Sequence, residues 1–241
     1  LLSLLAVLSA SLPLTPAPVR AADPRFFAET GFRVTSDRFW EYYQRRGGSR
    51  TFGLPVSREF TLLGTRVQVF QRQVLQLRPD GSVGLLNLLD PGLMPYTTIN
   101  GATFPPFDST VIASAPAPGS SGYDQAIVRF LQQHAPEHWR GRPVKFWSTF
   151  VNTVGLQEAF PEGGGDPALL PLLALEIWGL PTSQPAFDPA NPNFLYLRFQ
   201  RGIMQYDATT GLTQGILLAD FFKAILTGEN LPADLERAAR T

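Results

Sequence analysis

The spacing of apolar and polar positions changes period several times along this chain, and each change marks an element. Over residues 36–48, SDRFWEYYQRRGG, the residues Phe39, Trp40 and Tyr43 share one helical face. Ser36 can accept from the free amides of the first turn, Asp37 lies at the positive end of the helix dipole, and Arg45 and Arg46 lie at the negative end. Gly47 and Gly48 then read as the stop. Upstream, residues 23–34, broken at Thr30-Gly31, predict an entry strand or turn. From Arg66 the period shortens: Val67, Val69 and Val74 are set against Gln68, Gln71 and Gln73, with a turn at Pro79-Asp80-Gly81. That pattern predicts a three-stranded antiparallel meander over 66–70, 74–78 and 83–88. Helical spacing returns at 123–134, with Ile127, Phe130 and Leu131 on one face and Pro136 past the end. Residues 144–154, VKFWSTFVNTV, have the β-branched and aromatic content of a strand, and 166–178, DPALLPLLALEIW, read as an apolar helix.

One phrase occurs twice, as FGLPVS at 52–57 and WGLPTS at 178–183. The order continues after it. Phe199-Gln200-Arg201 repeats Phe70-Gln71-Arg72, Gln205 matches Gln76, Gly211 matches Gly81, Gly215 matches Gly84, and Gln73 stands where the second copy has glycine. The chain therefore reads as α+β: two diverged units, 22–92 and 123–228, each a helix followed by a Gly-Leu-Pro turn and a small antiparallel meander. The second carries an added helix and strand. Residues 93–122, rich in Pro, Gly, Ser and Thr, read as a linker or long loop, and 229–241 as a polar tail. The phrase itself reads as a joint: the Phe52 or Trp178 ring plugs the core, glycine and proline turn the chain out of the helix, and Ser57 or Ser183 holds the following turn.

Composition narrows the function classes. With 44% hydrophobic and 17% charged residues among 241, the chain can bury a sizeable core. Twenty basic and twenty acidic residues leave no long-range positive field, which argues against nucleic acid as a partner. Absence of cysteine removes disulfides, thiolate metal sites and thiol nucleophiles. Residues 1–21 open on LLSLLAVLSASL, too short to span a bilayer, and continue through three prolines to Ala21; they read as a secretory signal clipped at its start. The expected location is therefore outside the cell, at the cell surface, with no membrane-spanning segment.

Catalytic chemistry is thinly represented. His134 and His138 have helical i, i+4 spacing, but Pro136 lies between them and spoils the face a metal would need, so no metal site is assigned. Glu158, Glu162 and Asp166, in a glycine-rich segment, are the one carboxylate group that could border a hydrolase cleft. No nucleophile elbow, phosphate loop or dinucleotide fingerprint occurs, and no cofactor is implied. Sugars are bound by aromatic faces with Arg, Asn and Gln on the hydroxyls, which brings in Trp40, Trp139, Trp147 and Trp178. Trp40 and Trp178 abut the helix ends and are expected to be buried.

The aromatic-Gly-Leu-Pro-x-Ser step, the Phe-Gln-Arg-Gly-Ile turn and Tyr-Asp-x-x-Thr-Gly together resemble the LGFP repeats of secreted bacterial envelope proteins. That resemblance implies a non-catalytic, β-rich unit that holds its carrier to the cell wall or to glycan. The candidate ligand contacts are Arg72 and Arg201 at equivalent turns, their neighbours Gln71 and Gln200, and Tyr206. The function expected is attachment or recognition at the bacterial envelope, with a cell-wall glycan or envelope polymer as partner. A wall-active hydrolase using residues 158–166 is the alternative, and a structural protein–protein interaction subunit is a third.

Overall fold

The computed structural model describes residues 23–239; the expected signal segment lies outside them. A short hairpin, β1 (Phe26–Phe27) and β2 (Phe32–Arg33), leads into α1 (Asp37–Arg45), where the Ser36 hydroxyl accepts from the Phe39 amide at 3.4 Å. The paired glycines do not end helical structure. Gly47, at φ 94°, makes an elbow, and α2 (Gly48–Phe52) carries the chain on to deliver Phe52.

The first unit continues as a four-stranded antiparallel meander, β3 (Phe60–Leu62), β4 (Thr65–Val69), β5 (Val74–Leu77) and β6 (Val83–Leu85), in spatial order β3-β4-β5-β6. The outer strand β3 had no sequence signal because it is exposed and pairs on one side only. Residues 93–122 are not a bare linker. They hold a hairpin, β7 (Thr98–Ile99) and β8 (Ala102–Thr103), and α3 (Ser109–Ala113), and they bury Met94, Ile99, Phe104 and Val111. Few apolar residues spaced among prolines suffice here, because the surface they pack on is already formed by the sheets.

The added helix α4 spans Tyr123–His134, and the segment read as a strand is instead α5 (Phe146–Val151). Phe146 and Phe150 are four residues apart and fully buried on one helical face, so tertiary packing overrides β propensity. Next come α6 (Leu156–Ala159) and, after a single 3-10 turn, α7 (Leu170–Trp178). The second meander follows as β9 (Ala186–Phe187), β10 (Phe194–Arg198), β11 (Ile203–Asp207) and β12 (Leu212–Gly215), again in chain order. Two helices close the chain, α8 (Leu218–Thr227) and α9 (Ala233–Ala239). The expected tail is thus largely helical, and its Leu235 is fully buried.

The joint has one geometry in both units. Gly53 adopts φ 75°, ψ −166° and Gly179 φ 71°, ψ −168°, a region open essentially to glycine alone. Pro55 bridges to Phe70 and Pro181 to Phe199. The Gln71 Oε1 accepts from the Leu54 amide and the Gln200 Oε1 from the Leu180 amide, each at 3.0 Å. Ser57 Oγ accepts from the Val69 amide at 2.9 Å and Ser183 Oγ from the Arg198 amide at 3.1 Å. These serines therefore tie the phrase to the next strand rather than to their own turn. One expected match shifts: Gly215 pairs with Met204 as Leu85 pairs with Leu75, so Gly215 corresponds to Leu85 and Gln214 to Gly84.

The two units share their cores. One cluster joins Phe52, Phe70 and Leu75 to Phe150, Trp178, Phe199 and Met204; the other joins Val67, Val69 and Val74 to Tyr196, Ile203 and Leu218. The exchange across the junction is reciprocal. The Leu89 amide, beyond β6, donates to the Gln200 carbonyl at 2.9 Å, and the Asp220 amide, beyond β12, donates to the Gln71 carbonyl at 3.2 Å. Each unit's post-meander segment thus reaches the other unit's Phe-Gln-Arg turn. Among the described residues no helix is long and apolar enough to cross a membrane.

Candidate functional site

The reciprocal exchange creates two clefts of similar construction, each with one unit's arginine facing the other unit's meander. They differ in whether that arginine has a partner. Arg201 is engaged through two of its three nitrogens: its Nε donates to Asn87 Oδ1 at 2.7 Å, and its Nη1 donates to the carbonyls of Glu176 at 2.7 Å and Leu175 at 3.2 Å, at the end of α7. Asn87 is braced in turn by Asp90, whose Oδ2 accepts from Asn87 Nδ2 at 2.7 Å. The glutamine of this cleft is also bonded, with Gln76 Nε2 donating to the Leu85 carbonyl at 3.0 Å.

Arg72 has the corresponding place on the other side and none of these contacts. Its backbone repeats the frame, the Arg72 amide donating to the Phe52 carbonyl as the Arg201 amide does to that of Trp178. Its guanidinium, however, makes no hydrogen bond or ion pair among the described residues and lines a cleft of about 440 Å³. The reason lies in the facing segment. Counted from the amide that follows the last strand, Leu217 stands where Asn87 stands, and counted from the amide on the facing Gln carbonyl, Phe221 stands where Asp90 stands.

The cleft floor is built by sheet register. Tyr196 pairs with Gln205 and Gln205 with Gln214, so the three form one cross-strand row, beside Phe104 and, at the tip of the β7–β8 hairpin, Asn100. Neither the Gln205 nor the Gln214 amide has a hydrogen-bond partner among the described residues. Burial lowers the Arg72 guanidinium from its ordinary value while the Asp220 carboxylate pulls it back up. Burial raises the Asp220 carboxyl, and Lys223 and then Arg72 oppose that rise. Asp220 is shared between Arg72 and Lys223 and forms an ion pair with neither, so the arginine has no salt-bridge partner in its half-buried, largely apolar setting.

The other expected contacts are placed differently. Gln71 and Gln200 use their side-chain oxygens to hold the joint, so these acceptors are structural. Tyr206 is buried within the first core cluster, out of reach of a surface ligand. Trp178 is 7% exposed, with Nε1 donating to Thr153 Oγ1 at 2.7 Å, which agrees with its reading as a core plug. Trp40 stacks on Tyr43 beneath the Arg25 guanidinium, and Trp147 stacks on Phe150.

The carboxylates of residues 158–166 do not converge. Glu158 accepts from the Gly155 amide at 2.7 Å and pairs with Arg50, Asp166 accepts from the Ala168 amide at 2.9 Å, and Glu162 is exposed. Nor do the histidines: α4 ends at His134, which is buried with Nδ1 3.2 Å from Gln184 Nε2, whereas His138 is exposed. Burial lowers the His134 pKa, favouring the neutral ring, with Asp108 working against it. No carboxylate is among the residues lining the Arg72 cleft.

The sequence carried a signal for part of this row, since Gln205 matches Gln76 in the alternating pattern. Tyr196, Gln214, Phe104 and Phe221 come together only through sheet register and the fold of the intervening segment. Comparison with models of known protein families, with curated proteins and with solved structures finds no match.

Proposed function

We propose that this protein is an exported, non-catalytic recognition module of the bacterial cell envelope, built from two diverged copies of one unit, and that it binds glycan in the Arg72 cleft. The observation that carries this reading is the half-buried Arg72 guanidinium with no partner, beside two unbonded glutamine amides and the part-exposed apolar side chains of Leu217 and Phe221. Arginine and amide donors around apolar faces are the donor set that sugar hydroxyls and C–H faces require. The likeness to envelope repeats and the signal-like leader support the location. The dispersed, cap-forming carboxylates of residues 158–166 give the hydrolase alternative no comparable geometry.

Retention on purified cell-wall polymer tests the reading. The wild-type protein should be held above a neutral control protein of similar size. Arg72→Ala should weaken retention at least ~10-fold, as expected for loss of a charge-assisted hydrogen bond, with the urea midpoint unchanged. Wild-type protein that washes through with the control would overturn the proposal.

A further inference from the structure

We propose that the sugar seated against Arg72 carries a carboxylate, so that the cleft selects acidic residues of a glycan over neutral ones. The inference rests on the glycan-binding reading and adds the chemical class of the ligand. It draws first on a template inside the molecule. In the sister cleft the arginine at this position takes an sp² oxygen, Asn87 Oδ1, at 2.7 Å from Nε, supported by the Asp90 carboxylate. In the Arg72 cleft the matching places are held by Leu217 and Phe221, which supply apolar surface and no acceptor. The protein therefore leaves that acceptor's place to a ligand oxygen, which would displace solvent there.

Charge decides between acceptors. Arg201 also bonds the carbonyls at the end of α7 through Nη1, but Arg72 makes no such bonds, so its planar fork is open to a group that can take two parallel hydrogen bonds. The acid coupled to it, Asp220, lies beyond ion-pair distance and is opposed by Lys223 as well. A guanidinium with no ion-pair contact in a half-buried cleft favours an anion over a neutral amide or hydroxyl. A carboxylate on a pyranose ring meets the remaining lining. The ring's C–H face lies along Leu217 and Phe221, and its hydroxyls meet the Gln205 and Gln214 amides.

Titration calorimetry of the protein with three probes tests this: trigalacturonate, the same trimer with its carboxylates reduced to alcohols, and chitotriose. Trigalacturonate should bind at one site per chain, at least ~10-fold tighter than either neutral trimer, and should weaken as salt is raised. Arg72→Ala should abolish the difference between acidic and reduced trimers, and Arg72→Lys, which keeps the charge without the fork, should retain only part of it. Equal or tighter binding of the reduced trimer or of chitotriose overturns the acidic preference; if wall polymer still holds the protein through Arg72, the glycan-binding reading stands without it. Failure of every trimer together with wall polymer removes both. Acid-selective binding that is unchanged in Arg72→Ala overturns the assignment to this cleft.

Discussion

Gly179→Ala lowers the stability of the protein by at least ~3 kcal/mol or prevents folding, and Gly53→Ala does the same. Two independent causes act at each site. The backbone pairs φ 75°, ψ −166° and φ 71°, ψ −168° lie in a region that residues with a Cβ scarcely populate. A Cβ would also fall 2.6 Å from Gln71 Cβ at position 53 and 2.8 Å from Gln200 Cβ at position 179. Those glutamines cannot step aside freely, because their side-chain oxygens hold the following amide of the joint. Gly141→Ala provides the comparison: it also has positive φ, at 79°, but nothing within 4 Å of the added carbon, so its cost should be about 1 kcal/mol. Urea unfolding of the three variants checks the claim. Joint substitutions no costlier than Gly141→Ala would mean that the phrase is not the rigid corner described above.

The second large effect concerns why one unit has Trp and the other Phe at the same position. A Cβ on Gly202 would lie 2.8 Å from Trp178 Cζ3, and one on Gly215 would lie 2.8 Å from Trp178 Cη2. The indole thus lies against two bare backbones. In the first unit the corresponding positions are Gln73 and Leu85, and the ring is the smaller Phe52. Ring size and neighbour size are exchanged between the units. Gly202→Ala alone should therefore cost about 1–3 kcal/mol through overpacking. In a Trp178→Phe background the same change should cost less, giving a coupling of at least ~1 kcal/mol in a double-mutant cycle. Strict additivity of the two changes would refute the packing argument.

Much of the frame was legible because local signals agreed with the tertiary outcome. Ser36 and the Phe39/Tyr43 face set α1, Pro136 lies just beyond α4, and the valine–glutamine alternation marked the inner strands of the first meander. The misreadings came where packing outweighed composition. Residues 146–151 form a helix because Phe146 and Phe150 face a core built by other segments, and residues 93–122 fold because they land on formed sheets.

The site was half legible. Arg72 and Arg201 occupy equivalent turns and look alike in the sequence. What separates them lies more than a hundred residues away in the chain, in the opposite unit in each case: Asn87 bonds Arg201 and is braced by Asp90, while Leu217 and Phe221 leave Arg72 alone. The glutamines beside each arginine gave no hint that they serve the joint, because a turn glutamine reads the same whether its oxygen faces a ligand or a backbone amide. Tyr206 belongs to the face of its strand opposite Gln205, and it is that alternation, read against the core rather than the motif, that would have buried it.

Two clefts share one frame, and the protein itself supplies hydrogen-bond partners to only one of the two arginine side chains. Unfolding free energies of Arg72→Ala and Arg201→Ala, measured without ligand, test it most directly. Removal of Arg201 strips Asn87 Oδ1 and the Glu176 carbonyl of their donors and takes a second donor from the Leu175 carbonyl, which keeps the Gly179 amide, and should cost about 2–4 kcal/mol, whereas loss of the Arg72 side chain breaks no hydrogen bond and should change stability by no more than about 0.5 kcal/mol. Equal losses for the two variants, or a larger loss for Arg72→Ala, would contradict the account.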